Sequence, residues 1–395
     1  MKLLHIIASV DPMTGGPIEG ILQQCRSLGD RDVREIVCLD SPDAPFLKDF
    51  PIRTHALGTK PYKSGSRSKI ARFGYTRLLV PWLRKNAGKY DILIINGLWN
   101  YASVGASLIL PSLSTPYVVY PHGMMDPWFR HAYPMKHWLK QLFWTLFDGR
   151  LIQHARAVLF TTEEERVLAQ GQFRGHPYSE RVVGYGTSDV PDDAETQNAA
   201  FRTLIPALGD HPYMLFLGRI HPKKGCDLLI NAWVAVAKQR PDLHLVIAGP
   251  DQSGWVKELR SLAGRMGVGA NIHWPGMVSG PAKWGAFRGA EAFILPSHQE
   301  NFGVAVAEAL ACGTPVLISD KVNIWREVKA AGAGLVEPDT LAGTRTLLQA
   351  FLALDRPARE EMRAAARQCF IESFDLKNSA RKVLTLFREL ARAPA

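Results

Sequence analysis

At 395 residues the chain is too long for one typical core, and two domains are expected. A hydrophobic content of 47% with 21% charged residues is that of a soluble globular enzyme and excludes a disordered or fibrous chain. The formal net charge of +10 calls for an anionic partner: nucleic acid, an acidic membrane surface or phosphorylated small molecules.

The first apolar run, Leu3 to Val10, is ended at once by Asp11 and Pro12, which reads as a buried strand and not as a signal-peptide core. Short apolar strands then alternate with longer helical stretches, as in a mostly parallel sheet wrapped by helices. Strands are expected at Lys2–Ser9, Val33–Leu39, Ile52–Leu57, Ile92–Asn96, Tyr117–Tyr120, Ala157–Phe160 and Arg181–Gly184. The first runs into Gly15 and Gly16 before a helix, a pair that lets backbone N–H groups approach a phosphate, although a plain strand-to-helix turn reads the same way. The G-x-G-x-x-G fingerprint of a dinucleotide fold is not met there.

Two stretches of this half are suited to a surface. Residues 60–89 carry nine Lys and Arg with no acidic residue. Residues 128–147 interleave Trp128, Phe129, Tyr133, Trp138, Phe143, Trp144 and Phe147 with Arg130, Lys136, His137 and Lys140. Such a helix is either an interfacial anchor on an anionic membrane or a core-facing aromatic stripe with a solvated basic face. Nucleic acid is not expected, since no recognition motif accompanies the charge.

Turn and acidic residues over 191–210 suggest a linker between a first domain, 1–190, and a second, 211–373. The second alternation places strands near Tyr213–Leu217, His244–Ala248, Ile272–Trp274, Ala292–Leu295, Val316–Ser319 and Gly334–Val336. A final helix, 374–395, has apolar residues at helical spacing and is expected to cross back to the first domain. Two doubly wound halves of similar size would place a ligand cleft between them, outside the carboxyl ends of the strands. Five scattered cysteines without a C-x-x-C pair suggest neither disulfides nor zinc and fit a reducing cytoplasm. No apolar run approaches the ~20 residues of a membrane span.

The chemistry gathers in the second half. After the strand ending at Leu217 come Gly218-Arg219-Ile220-His221-Pro222-Lys223-Lys224-Gly225, which puts two cations, Arg219 and Lys224, at the carboxyl edge of a sheet. Further on, HQENFGVAVAEALACGTPV (298–316) places Glu300 in a loop, Gly303 at the mouth of a small-residue helix, and Glu308 about 7–8 Å along that helix. A helix start of this kind favours an anion. Two carboxylates flanking it would hold the two polyols of a nucleotide-sugar; the plain alternative is an ordinary helix with solvated glutamates.

These stretches resemble the nucleotide-sugar half of family 4 retaining glycosyltransferases of the GT-B fold, whose E-x7-E pattern is met by Glu300 and Glu308. Gly15-Gly16, Pro121-His122-Gly123 and the IAGP at 247–250 match as well. The resemblance implies two Rossmann-like α/β domains and a metal-independent hexosyl transfer. In it, Arg219 and Lys224 bind the diphosphate after Gly218, Glu308 holds the ribose, and Glu300 holds the transferred sugar beside the N–H groups of Asn301, Phe302, Gly303 and Val304. Gly16 lends an N–H to the phosphate, His122 faces the sugar, and Met277 and Val278 lie against the base. The donor is expected to be a UDP-hexose in preference to GDP-mannose, with no cofactor. The acceptor is a saccharide or lipid-linked saccharide of surface polysaccharide or lipopolysaccharide assembly, met in the cytoplasm at the inner membrane face. One departure stands out: Asp320 to Glu327 lacks the Gly-Gly turn many relatives carry, which puts a backbone-to-phosphate contact there in doubt. Rival readings are an epimerase, hydrolase or phosphorylase of the same architecture, and a non-catalytic saccharide- or membrane-binding module.

Overall fold

In the computed structural model, residues 1–12, 16–28, 32–59, 73–127, 130, 134–251 and 254–392 are described. The chain divides into two compact units, Met1–Gly186 with Leu376–Ala395, and Thr187–Asp375. All thirteen expected strand positions carry a strand, six with the expected bounds and the others with ends shifted by one or two residues.

In unit 1 the elements are β1 (Lys2–Ile7), α1 (Pro17–Leu28), β2 (Val33–Cys38), β3 (Arg53–Ala56), α2 (Leu79–Asn86), β4 (Ile92–Asn96), α3 (Tyr101–Ser107), β5 (Tyr117–Tyr120) and α4 (Pro134–Phe143). Then follow α5 (Gly149–Gln153), β6 (Ala157–Phe160), α6 (Glu163–Ala169) and β7 (Glu180–Val182). A π-helical turn over Trp144–Asp148 carries α4 into α5. The parallel sheet runs β3-β2-β1-β4-β5-β6-β7. Central β4 (ILIIN) is buried throughout, because helices cover a parallel sheet on both faces and an apolar residue pays at every position. The edge strand β3 is only half-buried.

Unit 2 contains α7 (Ala194–Leu204), β8 (Tyr213–Leu217), α8 (Cys226–Gln239), β9 (His244–Ala248), α9 (Val256–Arg265), β10 (Ile272–Gly276), α10 (Gly280–Arg288), β11 (Phe293–Leu295) and α11 (Val304–Ala311). It closes with β12 (Val316–Ser319), α12 (Trp325–Ala330), β13 (Gly334–Glu337), α13 (Leu341–Ala353) and α14 (Arg356–Cys369). Its parallel order is β10-β9-β8-β11-β12-β13.

The expected linker over 191–210 is corrected. Asp193 caps α7 by accepting from the Thr196 N–H at 3.3 Å, and α7 buries Gln197 and Phe201 within unit 2. Gly285 of α10 makes this packing close: a Cβ there would stand 2.0 Å from the Gln197 carbonyl oxygen. Just before α7, both carboxylate oxygens of Asp189 accept from the Arg367 guanidinium at 2.5 and 2.8 Å. The chain passes back at Asp375, and α15 (Leu376–Arg392) lays Val383, Leu384 and Phe387 against Leu3, Ile92, Val118 and Leu159 of the first sheet.

Candidate active site

The carboxyl edge of the second sheet is built from the loops after β8 and β11, the two central strands. The first loop folds into a short 3-10 turn over Pro222–Lys224, ended by Gly225 at φ +68°. A Cβ on Gly225 would lie 2.2 Å from the Pro296 carbonyl oxygen, so glycine alone lets the loop press against the end of β11. Cross-links reinforce this: His298 N–H donates to the Lys223 carbonyl at 2.8 Å, Ser297 Oγ to the same carbonyl at 2.9 Å, and Lys223 Nζ to Gln299 Oε1 at 3.0 Å. The result brings the Lys224 ammonium into hydrogen-bonded contact with the Glu300 carboxylate. Burial first, then the neighbouring Arg219 guanidinium, pull Lys224 down to about 8 from its ordinary value. Arg219, directly after Gly218, is exposed.

Glu300 is held from behind by the segment that lacks the glycine pair. Its N–H donates to the Lys321 carbonyl at 2.9 Å, and its carbonyl accepts from Asn323 N–H at 3.0 Å. The Asp320–Asn323 backbone therefore supports Glu300 in a short parallel bridge. Asn301 follows with its side-chain Oδ1 buried and unpartnered among the described residues. Phe302 is buried edge-on to Phe374 at 5.6 Å. Gly303, at φ +82°, begins α11 without a side chain to cap it, and Val304 in the first turn is exposed. The first-turn N–H groups and the positive end of the helix therefore lie beside Glu300.

Glu308, further along α11, accepts from Lys283 Nζ of α10 at 2.7 Å. The same ammonium sits 4.3 Å from the Trp284 ring centroid. Sequence reasoning passed over Lys283; the signal available was a cation in the first turn of the helix that follows a strand end. Met277 is exposed and Val278 buried, just beyond the edge strand β10.

In unit 1, Gly16 is exposed at the start of α1, at the carboxyl end of β1; Gly15 lies outside the described residues. His122 follows β5 with φ +51°, a left-handed conformation that costs a non-glycine residue about 1 kcal/mol or more. The turn is held by Glu165, whose carboxylate accepts from Gly123 N–H at 2.6 Å and from Thr161 N–H and Oγ at 2.8 and 2.6 Å. The His122 ring stacks on Tyr120 at 5.3 Å. Asn96 donates through Nδ2 to the Ile94 carbonyl at 3.1 Å, so its Oδ1 accepts from His122 Nε2 at 3.2 Å. Burial lowers His122 to about 4. At neutral pH the ring is uncharged and leaves Nδ1 as an acceptor. Asn96 and Glu165 were not among the expected site residues.

Two doubly wound parallel units with cations and carboxylates at one carboxyl edge define the GT-B class. Solved structures share this fold: sucrose-phosphate synthase from Thermosynechococcus elongatus (TM-score 0.76, 19% identity, 99% of each chain) and Anabaena HepE in complex with UDP-glucose (0.72, 16% identity, 98% of this chain and 100% of that one). Residues 201–369 match the glycosyl transferases group 1 family and residues 15–186 the glycosyl transferase 4-like domain; the chain belongs to the GT-B glycosyltransferases of family 4. Among curated relatives, a D-inositol 3-phosphate glycosyltransferase of Jonesia denitrificans is 29% identical over 254 residues, 61% of this chain. That match spans 58% of the relative's own length.

Proposed function

We propose that the protein is a retaining, metal-independent hexosyltransferase that moves a sugar from a nucleotide-sugar to a saccharide or lipid-linked saccharide in surface polysaccharide or lipopolysaccharide assembly, at the cytoplasmic side of the membrane. The carrying observation is the pairing of Lys224 with Glu300 beside Arg219 and the uncapped start of α11. Arg219, Lys224 and the helix end supply the positive charge that a leaving diphosphate needs, the work a divalent ion would otherwise do. Glu300 and the unpartnered Asn301 Oδ1 offer acceptors for hydroxyls of the transferred sugar. Glu308 takes the ribose hydroxyls. The roles assigned above to Gly16, His122, Met277 and Val278 belong to the same proposal.

In the transfer, the acceptor oxygen bonds to the anomeric carbon on the face from which the donor phosphate leaves. The anomeric C–O bond breaks with its electron pair passing to the phosphate oxygen, and the acceptor's proton follows onto that oxygen. Net configuration is retained without a covalent enzyme intermediate. A UDP-hexose is the donor preferred here over GDP-mannose, in keeping with the UDP-glucose held by Anabaena HepE.

Thermal-shift titration with UDP, GDP, ADP and their sugars tests the donor, because a ligand that binds the folded state raises its unfolding temperature. Stabilisation by UDP and UDP-hexose is expected. NMR of the product's anomeric proton, with and without a chelator, tests retention and metal independence. An inverted product, or no stabilisation by any nucleotide, refutes the reading.

A further inference from the structure

The aromatic stretch at 128–147 belongs in part to the core of unit 1: Trp144 is buried, and Phe143 and Phe147 pack beside it. Trp128, Phe129 and Tyr133 lie outside the described residues. In unit 2, one polar side chain at the carboxyl edge has a fixed orientation and no role in the transfer as described. His221 opens the 3-10 turn Pro222–Lys224 with an extended backbone, and its ring Nδ1 accepts from the Lys223 N–H at 3.2 Å. Its carbonyl accepts from the Lys224 N–H at 2.8 Å. Ile220, just before it, is buried and donates its N–H to the Pro250 carbonyl at 3.0 Å. The residue is pinned on both sides, and the imidazole cannot turn without losing the cap.

An Nδ1 that accepts carries no proton, so the proton of the neutral ring is on Nε2, at the far side from the turn. Among the described residues that N–H meets no hydrogen-bond partner, and the side chain is half-buried. Capping alone does not call for histidine, since Ser, Asn and Asp cap with a shorter side chain. What histidine adds is the second nitrogen. Burial first, then Lys223, Arg219 and Lys224, hold the ring below its ordinary value, so it stands uncharged among three cations at neutral pH. Lys223 Nζ donates to Gln299 and Lys224 Nζ to Glu300.

We propose that the His221 Nε2–H is a further donor to the diphosphate, meeting a phosphate oxygen beside Arg219 and Lys224. The proposal rests on the reading of this edge as the diphosphate site. A diphosphate presents more acceptor oxygens than two cations satisfy. A fourth cation in the loop would add to the repulsion that already lowers Lys224, whereas an uncharged N–H adds a hydrogen bond without that cost. An aspartate cap would set a negative charge against the phosphates.

Two isosteres separate this role from the cap. His221→Asn sets an amide oxygen where Nδ1 stands and keeps the cap, but has nothing at Nε2. His221→Gln reaches the Nε2 position with an amide N–H and gives up the cap. The test is calorimetric titration of the full chain with UDP and with uridine, beside thermal unfolding of each variant. His221→Asn is expected to weaken UDP about tenfold, with uridine affinity and unfolding temperature unchanged. His221→Gln should bind UDP within about threefold of the parent while unfolding at a lower temperature. Parent-like UDP affinity in His221→Asn would assign the ring to the turn alone and overturn the proposal, whatever His221→Gln does. An equal loss for UDP and uridine would overturn it too, since the contact would not be to phosphate. A parent that binds uridine as tightly as UDP would instead refute the diphosphate site itself, and the proposal with it.

Discussion

Lys283 and Glu308, twenty-five residues apart, are joined at 2.7 Å between α10 and α11, and both side chains are largely buried. The ammonium also rests on the Trp284 ring, so it reaches Glu308 from a fixed direction. A carboxylate fixed in this way is held ready for the ribose hydroxyls that the proposed function assigns to it. Glu308→Ala is therefore expected to weaken UDP binding by ten- to about a hundredfold, the loss of a charge-assisted contact. Lys283→Met, which leaves the carboxylate without its partner, should raise donor KM about three- to tenfold and leave kcat within about twofold. Calorimetric titration with UDP and initial-rate kinetics check both; a Lys283→Met variant that lost kcat at unchanged KM would contradict a positioning role.

Glu300 should behave differently. It contacts Lys224, which the proposed function sets against the diphosphate, and is itself proposed to hold the transferred sugar. Glu300→Gln is expected to cut kcat by about a hundredfold or more while UDP affinity changes by less than about fivefold. The contrast between Glu300→Gln and Glu308→Ala, read in one assay series, distinguishes two hydroxyl-holding groups from an acid/base pair.

Lys224 gives the site a pH dependence with a definite sign. Burial and Arg219 hold it down to about 8, and a diphosphate placed against it favours the charged form. Between about 8 and the higher value in the complex, the complex holds more protons than the protein without ligand. The binding constant for UDP should then fall as pH rises, by up to about tenfold per unit. Titrations from about pH 7 to about pH 9.5 in buffers of different ionisation enthalpy will show proton uptake if this holds. Lys224→Arg, charged throughout, should flatten the profile.

The strands were legible because each parallel strand, covered on both faces, must be apolar almost continuously, as in ILIIN of β4 and VLIS of β12. The helix α7 was not, because AETQNAAFRTL buries itself by approach of the Gln197 backbone to Gly285, a contact 88 residues distant with no local signature. Arg219, Lys224, Glu300 and Glu308 could be named from motif spacing, and Lys224 and Glu300 were expected on one sheet edge. Their partners could not: that Lys224 meets Glu300, or Lys283 Glu308, depends on loops that only the strand order β8-β11 brings side by side.

Gly225 supplies a structural prediction. An alanine there adopts a left-handed backbone and sets its Cβ against the Pro296 carbonyl oxygen. Gly225→Ala is expected to cost about 2–4 kcal/mol and to loosen the Lys224 loop. Urea unfolding followed by tryptophan fluorescence measures the first effect and UDP affinity the second. Full stability with native UDP affinity would show that the loop does not need this approach.

His5 and His122 predict how the first unit responds to acid. Burial, with Arg34 and His122 adding to it, lowers His5 to about 3, and burial lowers His122 to about 4. Asn96 Nδ2 faces His5 Nδ1 at 3.4 Å, and His5 Nε2 is buried without a partner among the described residues, so a second ring proton has no acceptor to go to. An unfolded histidine takes up its proton near 6.5. From there down to about 4 the unfolded chain binds more protons than the folded one, and stability falls as pH falls. At pH 5 each histidine contributes a loss of about 2 kcal/mol relative to neutral pH. Buried Asp148 and Glu165, raised by burial, work in the opposite direction, so the effect is read by difference. The stability gap between pH 7 and pH 5 should narrow by about 2 kcal/mol in His5→Gln, measured by denaturant unfolding at each pH. An identical gap in the parent and the variant would mean that His5 does not stay neutral in the fold.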